Sequence, residues 1–161
     1  MTDQIAALDA YFRIGETIPL GTHTFEADEI KAFARKYDPQ PFHVDEELAR
    51  RSVFGRLCAS GWHTCAIWMR QNLLHREDTG EVPWTGEGPA PVFGPSPGFE
   101  NLKWLRPVYA GETISFWRRA ETHRALSSRP GWRVMVVVCG ADDASGATVI
   151  QFDSSVLVQT G

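Results

Sequence analysis

The chain has 161 residues, 43% of them hydrophobic and 22% charged, with 20 acidic against 16 basic side chains and a formal charge of −4. One soluble domain with its own core fits this length and composition, and the mild negative charge argues against nucleic acid as a partner. The longest apolar run, residues 134–139, falls far short of the ~20 residues that a membrane helix needs, no signal-peptide pattern opens the chain, and three cysteines without a CxxC (Cys58, Cys65, Cys139) suit neither a disulfide scaffold nor a zinc knuckle.

In chain order, residues 1–15 read as a leader with a helical turn around 5–12, and residues 18–24 as a short strand. A helix follows over 27–37. Its Ile30, Phe33, Ala34 and Tyr37 fall at i, i+3, i+4 and i+7, and Asp28 and Glu29 occupy the first turn, where the helix dipole favours acids. Pro39 ends it, because a residue before proline is biased away from the α region. Residues 46–51 form a short helix with Asp45 as N-cap. Residues 61–75 (GWHTCAIWMRQNLLH) are apolar around most of their circumference, which predicts a buried helix, and they hold no Asp or Glu. Residues 76–98 carry five of the ten prolines and read as a long loop. Strands are expected at 99–105, 112–125, 131–142 and 147–159. Ile114 and Phe116 alternate with polar residues in one strand, as do Val134, Val136 and Val138, with less contrast, in another. Helices first and consecutive strands later argue for an α+β fold with an antiparallel sheet.

Two segments can carry chemistry. In Tyr37-Asp38-Pro39-Gln40-Pro41-Phe42-His43 a carboxylate and an imidazole lie five residues apart. That spacing is not one helix face, and the two prolines make the segment a stiff, non-helical loop able to aim Asp38 and His43 at one point. Such a pair suits proton transfer. The same residues also fit a structural role, with Asp38 capping a turn and His43 bonded to a backbone carbonyl. In Phe54-Gly55-Arg56-Leu57-Cys58-Ala59-Ser60-Gly61-Trp62-His63-Thr64 small residues meet the start of the buried helix. Its first amides lack internal partners and can hold a developing anion. Ser60 is the expected N-cap, and Gly61 lets a ligand oxygen approach the backbone. A metal set from Cys58, His63 and Cys65 is not expected, since positions two apart on a helix face different ways. His23, His75 and His123 are expected to be solvated, and Trp62, Trp68, Trp104 and Trp117 to lie in the core or an interface.

Asp-Pro-Gln-Pro-Phe-His-Val-Asp followed by Ala-Ser-Gly-Trp-His resembles the MaoC-like dehydratases, which are similar to the (R)-specific enoyl-CoA hydratases. Gly61 lies 18 residues beyond His43, and Arg106-Pro107-Val108-Tyr109-Ala110-Gly111-Glu112-Thr113 matches a later family element. Gln40, Tyr37 and Phe42 depart from the hydratase motif. The resemblance implies a single hotdog domain over residues 1–161, an antiparallel sheet wrapped around a long central helix, working as a homodimer or larger homo-oligomer. It implies reversible hydration of a trans-2-enoyl thioester, with Asp38 and His43 holding one water and the Gly61 N–H, beside Ser60, binding the thioester oxygen. The substrate is then an acyl-CoA or acyl-carrier thioester, and no separate cofactor or metal is needed. Arg106, Arg118, Arg119, Arg124, Arg129 and Arg133 are candidates for CoA phosphate contacts, none favoured over the rest. The expected compartment is the cytoplasm. Two other readings stay open: a hotdog acyl-CoA thioesterase, disfavoured by the lack of an acid in residues 61–75, and a non-catalytic acyl-CoA binding module.

Overall fold

The computed structural model describes residues 2–78 and 82–161. Five helices and six strands follow in the order α1 (Thr2–Phe12), β1 (Thr17–Thr24), α2 (Ala27–Tyr37), α3 (Pro41–Val44), α4 (Glu46–Arg50), α5 (Gly61–Asp78), β2 (Val92–Phe93), β3 (Gly98–Trp104), β4 (Thr113–Ala125), β5 (Trp132–Asp142) and β6 (Thr148–Gln159). The sheet is antiparallel in the order β1-β4-β5-β6, and β2 and β3 both pair with β6. α5 packs on β1, β4 and β6. This is the hotdog arrangement that the resemblance implies: α+β, with a sheet curled around one long helix.

The core lies between α5 and the sheet, where Ile67 and Trp68 meet Ile114, Phe116, Met135, Val137, Cys139 and Ile150. Ile114 and Phe116, which alternate with polar residues, are buried in β4. In β5 the inward set is Met135, Val137, Cys139 and Ala141, with Val134, Val136 and Val138 half-buried on the other face. Both faces of that strand are apolar, so composition does not specify its parity. α5 also differs from the fully buried helix expected. Its Trp62, Met69, Leu73 and Leu74 are exposed, because the sheet of one chain covers only one side of it.

Residues 2–12 are not a loose leader. Leu8 and Phe12 of α1 enter the core, and Tyr11 and Phe12 make ring contacts with Trp84 and Phe93 of the Pro/Gly-rich segment. Gln4 and the Glu87 backbone exchange hydrogen bonds. Residues 82–98 are therefore tied to α1 and contribute β2, while 79–81 lie outside the described residues. His123, expected in solvent, has a side chain only 3% exposed. Its Nδ1 accepts from Arg133 Nε (2.7 Å), so its Nε2–H donates to Asp9 Oδ1 of α1 (2.9 Å). His23 is likewise paired, with Glu29, and its side chain is only 18% exposed. Truncating Phe12, which is 6% exposed, is expected to cost about 3–5 kcal/mol in urea unfolding, as a buried aromatic does. No helix of the described residues is long and apolar enough to cross a membrane.

Candidate active site

α2 is amphipathic, burying Ile30 and Ala34, and it stops at Tyr37 as Pro39 requires. Asp38 is its C-cap, with its N–H donating to the Ala34 carbonyl. The segment after it is not wholly irregular: Pro41 opens a single helical turn, α3. A proline at the first helical position lacks only an N–H that the helix would leave unpaired anyway. That turn swings His43 back toward Asp38, and the His43 N–H donates to the Gln40 carbonyl.

His43 is 6% exposed. Its Nδ1 lies 2.6 Å from the Cys58 carbonyl oxygen, which can only accept, so Nδ1 carries the proton. In the neutral ring Nε2 is then an open acceptor, and it faces Asp38 Oδ2 at 3.4 Å. Asp38 is held by two donors, Ser60 Oγ to Oδ2 (2.7 Å) and Gln40 Nε2 to Oδ1 (2.8 Å). Burial pushes the Asp38 carboxyl up, but the Ser60 hydroxyl, the Gln40 amide and His43 together hold it below its ordinary value. Two acceptors 3.4 Å apart are matched by a molecule that donates twice, as water does.

Cys58 borders the pair, its Sγ 3.7 Å from His43 Nδ1. Burial, with the Asp38 charge adding to it, pushes its thiol up to about 11, so it is no nucleophile at neutral pH. Residues 57–59 pair with 108–110: Ala59 N–H donates to the Val108 carbonyl and Ala110 N–H to that of Leu57. Glu112 accepts from the Tyr109 N–H and from Arg106, which also lies in ion-pair range of Asp143. Arg106 is thus committed to the fold, and the 106–113 element holds the 57–59 segment that carries the Cys58 carbonyl.

Ser60 caps α5, its Oγ accepting from the Trp62 N–H (3.3 Å) while donating to Asp38. The Gly61 N–H makes no hydrogen bond among the described residues. A Cβ at Gly61 would sit 2.3 Å from Trp104 Cε2. Trp104, on β3, also meets Trp62 edge-on at 5.1 Å, and the two indoles form a half-exposed aromatic wall beside that amide. The fold brings Asp38, His43 and Ser60 together, with Gly61 next to Ser60 at the head of α5. The sequence carries no sign of Gln40 as a donor to the carboxylate, of the Cys58 carbonyl or of Trp104 beside Gly61. Among the described residues no three His, Cys, Asp or Glu side chains are placed to hold a metal ion.

A cavity of about 640 Å³ opens between the sheet and the second half of α5. Phe12, Trp68, Phe93, Met135, Val137 and Val156 are among its walls, and none of Asp38, His43, Ser60 and Gly61 lines it.

A sequence model of the MaoC like domain matches residues 10–126. A solved MaoC-like dehydratase from Rhodospirillum rubrum is 34% identical, with a TM-score of 0.75 over 92% of this chain and 93% of that one. The (R)-hydratase of A. caviae involved in PHA biosynthesis shares the fold at 19% identity, with a TM-score of 0.61 over 92% of this chain and 96% of that one. An uncharacterized protein of Bacillus subtilis, YdeM, is 41% identical over 56 residues, 35% of this chain and 40% of that relative's length.

Proposed function

The chain belongs to the MaoC-like domain family, and on that premise we propose that it is a hydratase or dehydratase of an enoyl thioester. The observation that supports the reading is the facing pair of acceptors, Asp38 Oδ2 and His43 Nε2, 3.4 Å apart, with Ser60, the residue before Gly61, bonded to Asp38 and no hydrogen bond on the Gly61 amide among the described residues. One water donates to both. Its oxygen adds to the β-carbon of the trans-2 double bond, and the thioester oxygen takes the enolate charge against the Gly61 N–H. The proton left on the dyad goes to the α-carbon, so the elements of one water are added and none are left over. The reverse sequence expels water from a 3-hydroxyacyl thioester.

The cavity begins at Trp68, seven residues beyond Gly61 on α5, or about 10 Å at 1.5 Å per residue. It offers volume for an acyl chain laid along the helix. Mild overall acidity does not oppose a polyanionic CoA, whose contacts are local. The working particle is proposed as a homodimer or larger assembly. β3 pairs with β6 on one side only, and Phe99, Trp104, Leu105 and Trp62 stand exposed at or near that edge. An apolar open edge of this kind favours strand pairing with a second copy. Light scattering is expected to give at least twice the chain mass, and a monomer would remove this part of the reading.

The deciding assay presents a series from crotonyl- to decenoyl-CoA and follows loss of the conjugated enoyl absorbance, with Asp38→Ala as the control. Turnover by the native chain and none by the variant is the expected result. Release of free CoA would favour the thioesterase reading, and tight acyl-CoA binding with no turnover at any chain length would favour a binding module.

A further inference from the structure

A second cluster of titratable side chains lies at the other end of α2. Glu29, in its first turn, receives two imidazoles from two other elements. His23 of β1 places Nε2 2.9 Å from both carboxylate oxygens, and His63 of α5 places Nε2 3.3 Å from Oε1. The His63 ring is 3% exposed. Phe33 stacks on it at 4.5 Å and 5°, and Phe25 meets it edge-on at 5.0 Å. Its Nδ1 is buried with no hydrogen-bond partner among the described residues. Burial holds its pKa below the ordinary value against the pull of Glu29, so the neutral ring has one proton to place. Nε2, which has an acceptor, carries it, and Nδ1 is left bare.

An apolar side chain would fill this position at less cost than a half-satisfied histidine. What histidine adds is a fixed bond from the first turn of α5 to α2. Two residues before His63 stands Gly61, with the unpaired amide. At the far end of α2 stands Asp38. Glu29 and Phe33, at i and i+4, hold one side of His63, and Tyr37 continues their stripe to the residue next to Asp38.

Resting on the reaction assigned above, we propose that Glu29 is a positioning residue: through His63, and braced by His23, it sets the α5 amide of Gly61 in register with the α2 carboxylate of Asp38. It touches neither substrate nor water.

The test compares Glu29→Ala with Glu29→Gln, which keeps one acceptor oxygen for the His63 N–H. A small misplacement of reacting groups lowers kcat strongly, and an interaction felt only in the transition state leaves KM alone. Glu29→Ala is expected to lose about 10- to 100-fold in kcat with little change in KM, and Glu29→Gln to recover most of it. Nitrogen-15 spectra of the native protein are expected to show His63 protonated on Nε2, and Glu29→Ala to move the Gly61 amide resonance. The proposal is overturned by a proton on Nδ1, by an unmoved Gly61 amide, or by an alanine variant with native kcat. It is also overturned by a loss that the glutamine does not repair and that follows the unfolding midpoint. The resonance measurements need no turnover. If the native chain hydrates no enoyl thioester, the assigned reaction fails while the Glu29–Gly61 coupling is still decided.

Discussion

Replacing Asp38 by Asn is expected to lower kcat for enoyl thioester hydration by about 10²–10⁴-fold, the range that a positioned proton-transfer group contributes, with the fold retained. The substitution is isosteric. The Ser60 hydroxyl can turn and accept from the new amide where it now donates to Oδ2, and Gln40 is exposed and can rearrange. What is lost is an acceptor opposite His43 Nε2, and with it one of two anchors of the water. Asp38 is held below its ordinary value, so it stays ionised through the neutral and mildly acidic range. That ionisation also bears on stability. A carboxyl with a depressed folded-state pKa stabilises the fold above its unfolded value, and that contribution is lost as pH falls through the folded one. Asp38→Asn is expected to flatten that acid limb of the unfolding profile. A variant that keeps native kcat removes Asp38 from the chemistry.

Much of this site was legible because its parts are local. Two prolines around Gln40 restrict the chain between Asp38 and His43, and a small-residue run before an apolar helix marks the Ser60–Gly61 corner. The fold class was legible from the buried face of residues 61–75 and the run of strands after them. What could not be read shares a physical cause: partners that meet only in the folded chain. The Cys58 carbonyl that fixes the His43 tautomer is backbone and carries no signature in composition. His63 meets Glu29 across 34 residues, and His123 meets Asp9 across 114. Neither partner is visible from the sequence around either histidine. β5, apolar on both faces, does not encode which face turns inward. α3 was hidden for another reason, because proline breaks a helix anywhere but at its start.

Gly61 links the local and the long-range parts of the site, and its two roles can be separated. Glycine is needed for space in any case, since a Cβ would lie 2.3 Å from Cε2 and 2.4 Å from Nε1 of Trp104. Gly61→Ala is therefore expected to displace the indole and depress activity, an effect that says nothing about the amide. Removing the indole as well makes the comparison clean. In Gly61→Ala combined with Trp104→Ala the side chain has room and the N–H remains. In Gly61→Pro combined with Trp104→Ala the N–H is gone, yet the first position of a helix is where proline is best tolerated. Both carry the same loss at β3, so any change in assembly cancels. The proline double variant is expected to fall below the alanine double variant by about 10²–10³-fold in kcat, the worth of one preorganised donor to a developing oxyanion, with similar KM because that charge is absent in the ground state. Equal rates in the two would mean that the free amide at the head of α5 does no catalytic work, and Gly61 would be there only to admit Trp104.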